Sequence, residues 1–328
     1  MGVIRAEPAR VTDWAAKSVG AAWRAFDLQL TTYAGLLVAV GLVMAYTNSL
    51  VDGTIPAAAG STISRGLMWA AIAVVVYALA TTFDYHWLRT LAWPIYAFQL
   101  GLLVLTLAVG SGVGSTSRWV EIGPLTFQFS EIAKILMIIV LASYMSARPS
   151  LDSLPAIIGA CLLVGPPLAL VMLQPDLGTS LVFAGILAGM LWMSGASLRW
   201  LAILAAGVAA LVPFAWTYLL RDYQKARLEA FFNATPDIQG AGFQLYQAQI
   251  AVGSGGLIGK GLTNGTQTQG ELLPVQATDF VFATLAEELG FLGGVGLFLL
   301  FVLLLWRVLV AGWRSRDPFG TLFAAGVA

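Results

Sequence analysis

The chain reads as an all-α polytopic membrane protein: one transmembrane bundle of about eight complete helices and a partial ninth, with a large extracellular loop. Three observations carry that reading. Hydrophobic residues make up 59% of the 328 and charged residues only 10%, against about 25% charged in soluble globular chains. Apolar runs of about 20 residues, the length that spans a hydrocarbon core, recur along the sequence. The remaining polarity is concentrated: nine charged residues (Arg221, Asp222, Lys225, Arg227, Glu229, Asp237, Lys260, Glu271, Asp279) fall between two apolar runs.

Residues 1–27 mix Arg5, Arg10, Lys17 and Arg24 with Glu7, Asp13 and Asp27. They lack the short apolar core of a secretory signal and are expected to form a cytoplasmic tail. Residues 28–328 form the single transmembrane domain. Complete spans are expected near 30–50, 66–83, 90–110, 130–147, 154–173, 178–196, 198–219 and 280–306. A ninth apolar run begins at Phe319 and reaches Ala328, so a longer chain is expected. With the N-terminus inside, short cytoplasmic segments hold Arg5, Arg10, Lys17, Arg24, Arg89, Arg148, Arg199, Arg307, Arg314 and Arg316, and short external ones hold Arg65, Arg118 and Lys134. That bias puts the loop 220–279 outside. The connectors Gly114 to Glu131 and Gln174 to Thr179 fall on the same face, so three distant loops are expected to converge on one composite site. Within the long loop, 223–232 and 243–252 have the composition of short interfacial helices.

Composition also excludes chemistry. Zero formal net charge gives no reason to expect nucleic-acid binding. The lone Cys161 rules out an internal disulfide, and the lone His86 rules out a multi-histidine metal or haem site. A metal here would be a hard cation held by carboxylate and phosphate oxygens.

Several residues combine reactive chemistry with placement at the outer face. Asp279 opens the eighth span, where a carboxylate beside low-dielectric walls can serve as a general base; an acid favoured by the helix dipole would stand there too. Glu287 and Glu288 lie about 12 Å deeper at helical rise. Intramembrane acids are costly, and one of the pair is expected to meet an internal base or backbone group. Asp176 opens the sixth span as an N-cap acid, and its position also suits a second site carboxylate. Glu131 and Lys134 have ion-pair spacing on one helix. Arg118, Lys134, Arg227 and Lys260 form a candidate diphosphate-binding set. The glycine-rich run Gly253 to Gly261 breaks the phosphate-loop pattern at both ends, with Ser254 for its first glycine and Gly261 for its Ser or Thr. Its glycines are instead expected to allow tight external turns or close backbone approach to a ligand.

Taken together, Arg118-Trp119, Gln128 to Lys134, Gln174 to Thr179, Tyr223-Gln224 with Arg227, Gly242-Phe243-Gln244 with Gln247, Gly253 to Gly261, Gly265-Thr266-Gln267 and Thr278-Asp279-Phe280 through Glu287-Glu288-Leu289-Gly290 resemble the SEDS family of bacterial peptidoglycan glycosyltransferases, whose branches are RodA, FtsW and SpoVE. Gly265-Thr266-Gln267 leans towards the RodA branch. The resemblance implies polymerisation of lipid II at the outer face of the cytoplasmic membrane during cell-wall elongation. It implies Asp279 as catalytic base or metal ligand, and Arg118, Glu131, Lys134, Asp176, Arg227, Gln247 and Lys260 as substrate-binding residues. Trp119, Glu287 and Glu288 are expected to support them. It further implies a divalent cation, Mg2+ or Mn2+, and a class B penicillin-binding protein as partner within the elongation or division machinery. The sequence departs from the family at Ala277, where His is usual, and at Ala248, where Ser is usual, and the family's last two helices are not represented. A lipid II flippase and a non-catalytic scaffold for the penicillin-binding protein are the rival readings. A flippase would place its charges near the midplane, whereas these cluster outside.

Overall fold

The computed structural model describes residues 26–51, 60–110, 119–122, 125–148, 151–222, 224–225, 228–229, 243–269, 279–315 and 317–328. In chain order the helices are α1 (Leu28–Val51), α2 (Thr62–Thr82), α3 (His86–Thr90), α4 (Ala92–Val109), α5 (Phe129–Ser146), α6 (Leu154–Leu173), α7 (Leu177–Met193), α8 (Leu198–Phe214), α9 (Phe243–Ser254), α10 (Thr266–Gln269), α11 (Val281–Trp313) and α12 (Pro318–Val327). A π-helical turn, Ala215–Leu219, follows Pro213 at the end of α8. The expected interfacial helix at 243–252 is α9. The one expected at 223–232 lies largely outside the described residues.

Among the described residues, seven helices are long and apolar enough to cross a membrane. The expected span 178–196 is instead the 17-residue α7, too short for that count. Gly195, at φ +84°, ends it, because a left-handed residue after the last turn caps a helix and glycine takes that conformation without strain.

A second departure is a two-stranded antiparallel hairpin ahead of α5, β1 (Val120–Ile122) paired with β2 (Leu125–Phe127). Two short β-prone runs flank Gly123-Pro124 in the sequence, a combination that marks a turn. The hairpin leads directly into α5 and so sets where Gln128, Glu131 and Lys134 emerge.

The core centres on α5. Met137, Leu141 and Ala142 are buried against Leu103 of α4, Ala160 and Val164 of α6, Phe183 and Met190 of α7, and Phe319 and Leu322 of α12. Helices α2 and α8 bury no side chain, as expected of helices whose apolar surface faces lipid. Helix α11 packs on α1, α9 and α12. Its C-terminal part is tied to the start of α1 by Arg307 Nε, 2.7 Å from Asp27 Oδ2. At that same end His86 lies between Asp84 (2.6 Å) and Asp317 (3.9 Å); the His86 amide and ring hold the Asp84 carboxyl below the usual carboxylate range. The bundle is a multi-pass membrane protein whose polar chemistry is split between this end and the opposite one.

Candidate functional site

Asp279 stands exposed at the N-terminal head of α11, the helix that begins at Val281. Its neighbour Phe280 packs on a cluster of small residues, Ala248 and Ala251 of α9 with Ala283 of α11. Small side chains let two helices approach closely. Ala248, one of the departures from the family pattern, is therefore a packed contact that holds α9 on the outer half of α11.

Helix α11 is broken at Gly290, which adopts φ 68°, ψ −167°. The glycine-rich run docks into the break backbone to backbone. In an unbroken helix the Phe291 and Leu292 amides would donate to the Glu287 and Glu288 carbonyls. Here the Lys260 and Gly261 amides donate to those two carbonyls, each at 3.0 Å. The freed Phe291 and Leu292 amides donate to Gly256 O (2.8 Å) and Leu257 O (3.1 Å). A Cβ on Gly255 would overlap the Ala286 carbonyl, one on Gly259 the Glu288 carbonyl, and one on Gly290 the Gly259 amide. The close approach that the glycines allow is thus to a helix, and Gly256, Gly259 and Gly261 also take the positive φ that the turns require.

Side chains lock this junction. Glu287 is fully buried and accepts at Oε1 from Lys260 Nζ (2.7 Å), the Gln267 amide (2.9 Å) and the Thr266 hydroxyl (3.2 Å). Lys260 Nζ also donates to Ser254 Oγ (2.7 Å) and Thr266 Oγ1 (2.6 Å). An ammonium has three protons, so Lys260 is saturated within this cluster and directs none of them outward. Glu288 is fully buried beside Thr47 of α1 and Thr263.

A second polar layer joins the other loops. Asp176 is buried and caps α7, accepting from the Thr179 amide (3.1 Å) and hydroxyl (3.0 Å). Gln128, between β2 and α5, donates to Asp176 Oδ2 at 3.1 Å. Gln224 donates to the Pro175 carbonyl at 3.4 Å and accepts from the Arg221 amide. The turn 174–179 is therefore the place where the hairpin, α7 and the start of the long loop meet. Lys134 pairs with Glu131 at 2.7 Å in the first turns of α5 and lines a cavity of about 440 Å3 that Met190 and Gly326 also border. Gln247 lies on α9, half-buried, and Trp119 is exposed at the base of the hairpin. Arg118 and Arg227 lie outside the described residues. No hydrogen bond or ion pair among the described residues joins Asp279 to the Asp176 layer.

Among the described residues no three Asp, Glu, His or Cys side chains are grouped to hold a metal. The donor set near Asp279 fits only a cation that brings most of its oxygen ligands with it. Sequence reasoning missed the junction itself, although Gly290 and the glycine spacing of 255, 256, 259 and 261 carry its signal.

A family description, Cell cycle protein, covering FtsW, RodA and SpoVE, matches residues 27–328. The peptidoglycan glycosyltransferase MrdB of Escherichia coli (strain K12) is 40% identical over 235 residues, 71% of this chain and 63% of that protein. The chain therefore aligns with less than two thirds of that relative's length. Stage V sporulation protein E of Bacillus subtilis is 35% identical over 312 residues, 92% of this chain and 83% of that protein. Among solved structures, one of a peptidoglycan synthase complex that coordinates polymerization and crosslinking superposes with a TM-score of 0.74 at 28% identity, covering 92% of this chain and 82% of that one. The rod shape determining protein RodA of Thermus thermophilus superposes with a TM-score of 0.65 at 28% identity, covering 93% and 81%.

Proposed function

The chain belongs to the FtsW, RodA and SpoVE family, and from that membership we propose that it is a peptidoglycan glycosyltransferase that polymerises lipid II at the outer face of the cytoplasmic membrane, with its N-terminus cytoplasmic. The observation that supports the reading is the setting of Asp279: an exposed carboxylate at the N-terminal mouth of a helix whose first half is fixed by α9 and by the glycine strap, a mouth that the basic-residue bias puts at the outer face. A lipid-anchored sugar diphosphate presents its head group at that depth. In the reaction a sugar hydroxyl forms a bond to the anomeric carbon of a second unit, the bond from that carbon to the undecaprenyl diphosphate breaks, and the hydroxyl proton leaves.

Asp279 accepts that proton as general base or anchors a cation that arrives on the diphosphate. A divalent ion, Mg2+ or Mn2+, bound in that way would neutralise the leaving group's charge. Arg118, Glu131, Lys134, Arg227 and Gln247 are the remaining candidates to contact substrate, and Asp176, through Gln128 and Thr179, orders the loop layer beside them. A class B penicillin-binding protein fits as partner, since one solved relative is part of a complex that joins polymerization to crosslinking.

A flippase would draw on the broken α11, because discontinuous helices expose carbonyls to ions in transporters. Here the carbonyls of Glu287 and Glu288 accept strap amides instead, which favours the enzyme. The test is lipid II polymerisation by the whole purified protein with Mg2+ or Mn2+, alone and with its penicillin-binding partner. The natural protein is expected to form glycan strands and Asp279→Ala none. Strands of equal yield from both would refute the role given to Asp279, and strands from neither, partner included, would refute the enzyme.

A further inference from the structure

We infer that Lys260 and Glu287 form a positioning latch that holds Asp279's helix half at its working angle, so that Lys260 acts on the reaction through α11 and not by gripping the diphosphate. The inference rests on the glycosyltransferase reading for its functional consequence and on geometry alone for the latch.

Four backbone hydrogen bonds replace the two that the break at Gly290 removes. The outer half of α11, from Val281 to Leu289, consequently has no continuous helical ladder to the inner half. Its direction is set by what the strap 255–261 holds. The strap itself has little side-chain packing, since Leu257 and Ile258 are exposed, and its four glycines at 255, 256, 259 and 261 favour many conformations in the free chain. What reinforces its four backbone hydrogen bonds is the ion pair at its end. Glu287 is fully buried and Lys260 is about a quarter exposed, so the pair is screened far less than a surface one. Ser254, Thr266 and the Gln267 amide take up the remaining hydrogen-bonding capacity around it. A buried carboxylate with three donors and a lysine with three acceptors is a satisfied network, the kind that fixes one arrangement over its neighbours.

The consequence is directional. Asp279 lies eight residues before Glu287, so a small rotation of the outer half about Gly290 carries the carboxylate sideways at the interface. A shift of about 1 Å at a reacting group can cost on the order of 10²-fold in rate. Substrate contacts made elsewhere would be untouched. The latch is therefore expected to enter kcat and leave KM alone, whereas a lysine that binds the diphosphate would enter KM.

The experiment compares Lys260→Met, Glu287→Gln and the double variant in the whole protein, with Lys260→Arg as the conservative control. Two readouts are taken: steady-state lipid II polymerisation, and amide hydrogen exchange in the absence of substrate. The latch predicts that each single variant lowers kcat by at least about 10-fold at unchanged KM. The double variant should be no worse than the worse single one, because both remove one interaction. Lys260→Arg should keep most of kcat. Exchange should rise at Lys260, Gly261, Phe291 and Leu292 and across 281–289, and stay unchanged over 293–306. A raised KM in Lys260→Met with a normal Glu287→Gln would overturn the latch and return Lys260 to the diphosphate. Unchanged exchange at the four bridging amides would overturn it as well. Failure of the glycosyltransferase reading is separable: the natural protein would then make no polymer, and exchange alone would still decide the latch. Should Lys260→Met not fold, Glu287→Gln, which keeps an acceptor in place, carries the same test.

Discussion

Asp176 and Asp279 both stand at helix N-termini, and their surroundings differ. Asp176 is buried and fully engaged, with the Thr179 amide and hydroxyl and the Gln128 amide all donating to it. Asp279 is exposed, and no hydrogen bond or ion pair among the described residues joins it to that layer. The first is a structural cap, and the second is the carboxylate proposed to meet substrate. Replacing Asp176 by Ala is expected to lower stability by about 1–2 kcal/mol, the cost of a lost N-cap with further donors stranded. Asp176→Asn, which still caps, should lose less than half of that. Thermal unfolding of the detergent-solubilised protein checks both, and a destabilised Asn variant equal to Ala would show that the charge, not the cap, matters. The capping role was legible from Gln174-Pro175-Asp176-Leu177-Gly178-Thr179 alone. The contact to Gln128 was not, because a register across 48 residues of chain leaves no mark on local spacing.

At the scale of elements, the helices were legible because lipid imposes one simple requirement, a run of about 20 apolar residues. Expected and observed ends mostly agree within a few residues. Helix α7 fell short where Gly195 turns the chain. The hairpin and the break at Gly290 were harder to foresee, since both depend on who supplies backbone partners, and a hydropathy pattern does not record that. Gly290 lies inside an apolar run that reads as one continuous helix. The junction it forms with the strap makes a sharp prediction. Gly259→Ala is expected to cost about 2–3 kcal/mol, since its Cβ would meet backbone in a packed junction and its φ of +81° is strained for any other residue. Gly253→Ala, whose Cβ would meet nothing, is expected to change stability by less than about 0.5 kcal/mol. Equal melting temperatures for the two variants would contradict the docked strap.

Across the whole molecule, α11 links two polar ends. Its N-terminal head carries Asp279 and its C-terminal part carries Arg307, clamped to Asp27 at the start of α1. Burial opposes ionisation of Asp27, but the Leu30 amide and Arg307 outweigh it and hold the carboxyl below its usual range. A carboxylate depressed in the folded state adds stability above its unfolded pKa, and that stability is lost as pH falls through the folded value. The clamp should therefore act fully at neutral pH and fade below about pH 4. Asp27→Asn is expected to cost about 1 kcal/mol at pH 7 and to converge with the natural protein in acid; a difference that grows on acidification would contradict the assignment. Composition and the recurrence of apolar runs conveyed the multi-pass helical architecture from sequence, and the motifs conveyed the family. What sequence could not convey was that Lys260, a plausible phosphate ligand by position, spends all three of its protons inside the fold.

The central claim is that Asp279 performs chemistry at the outer mouth of α11. Its most direct test is the rate of undecaprenyl diphosphate release from lipid II by the whole protein with its penicillin-binding partner, natural against Asp279→Asn. The asparagine keeps size and polarity and removes only the ability to take a proton or bind a cation strongly. The account predicts a fall of about 10²–10⁴-fold, the range a positioned general base contributes, at an unchanged melting temperature. Release at the natural rate by Asp279→Asn would contradict it.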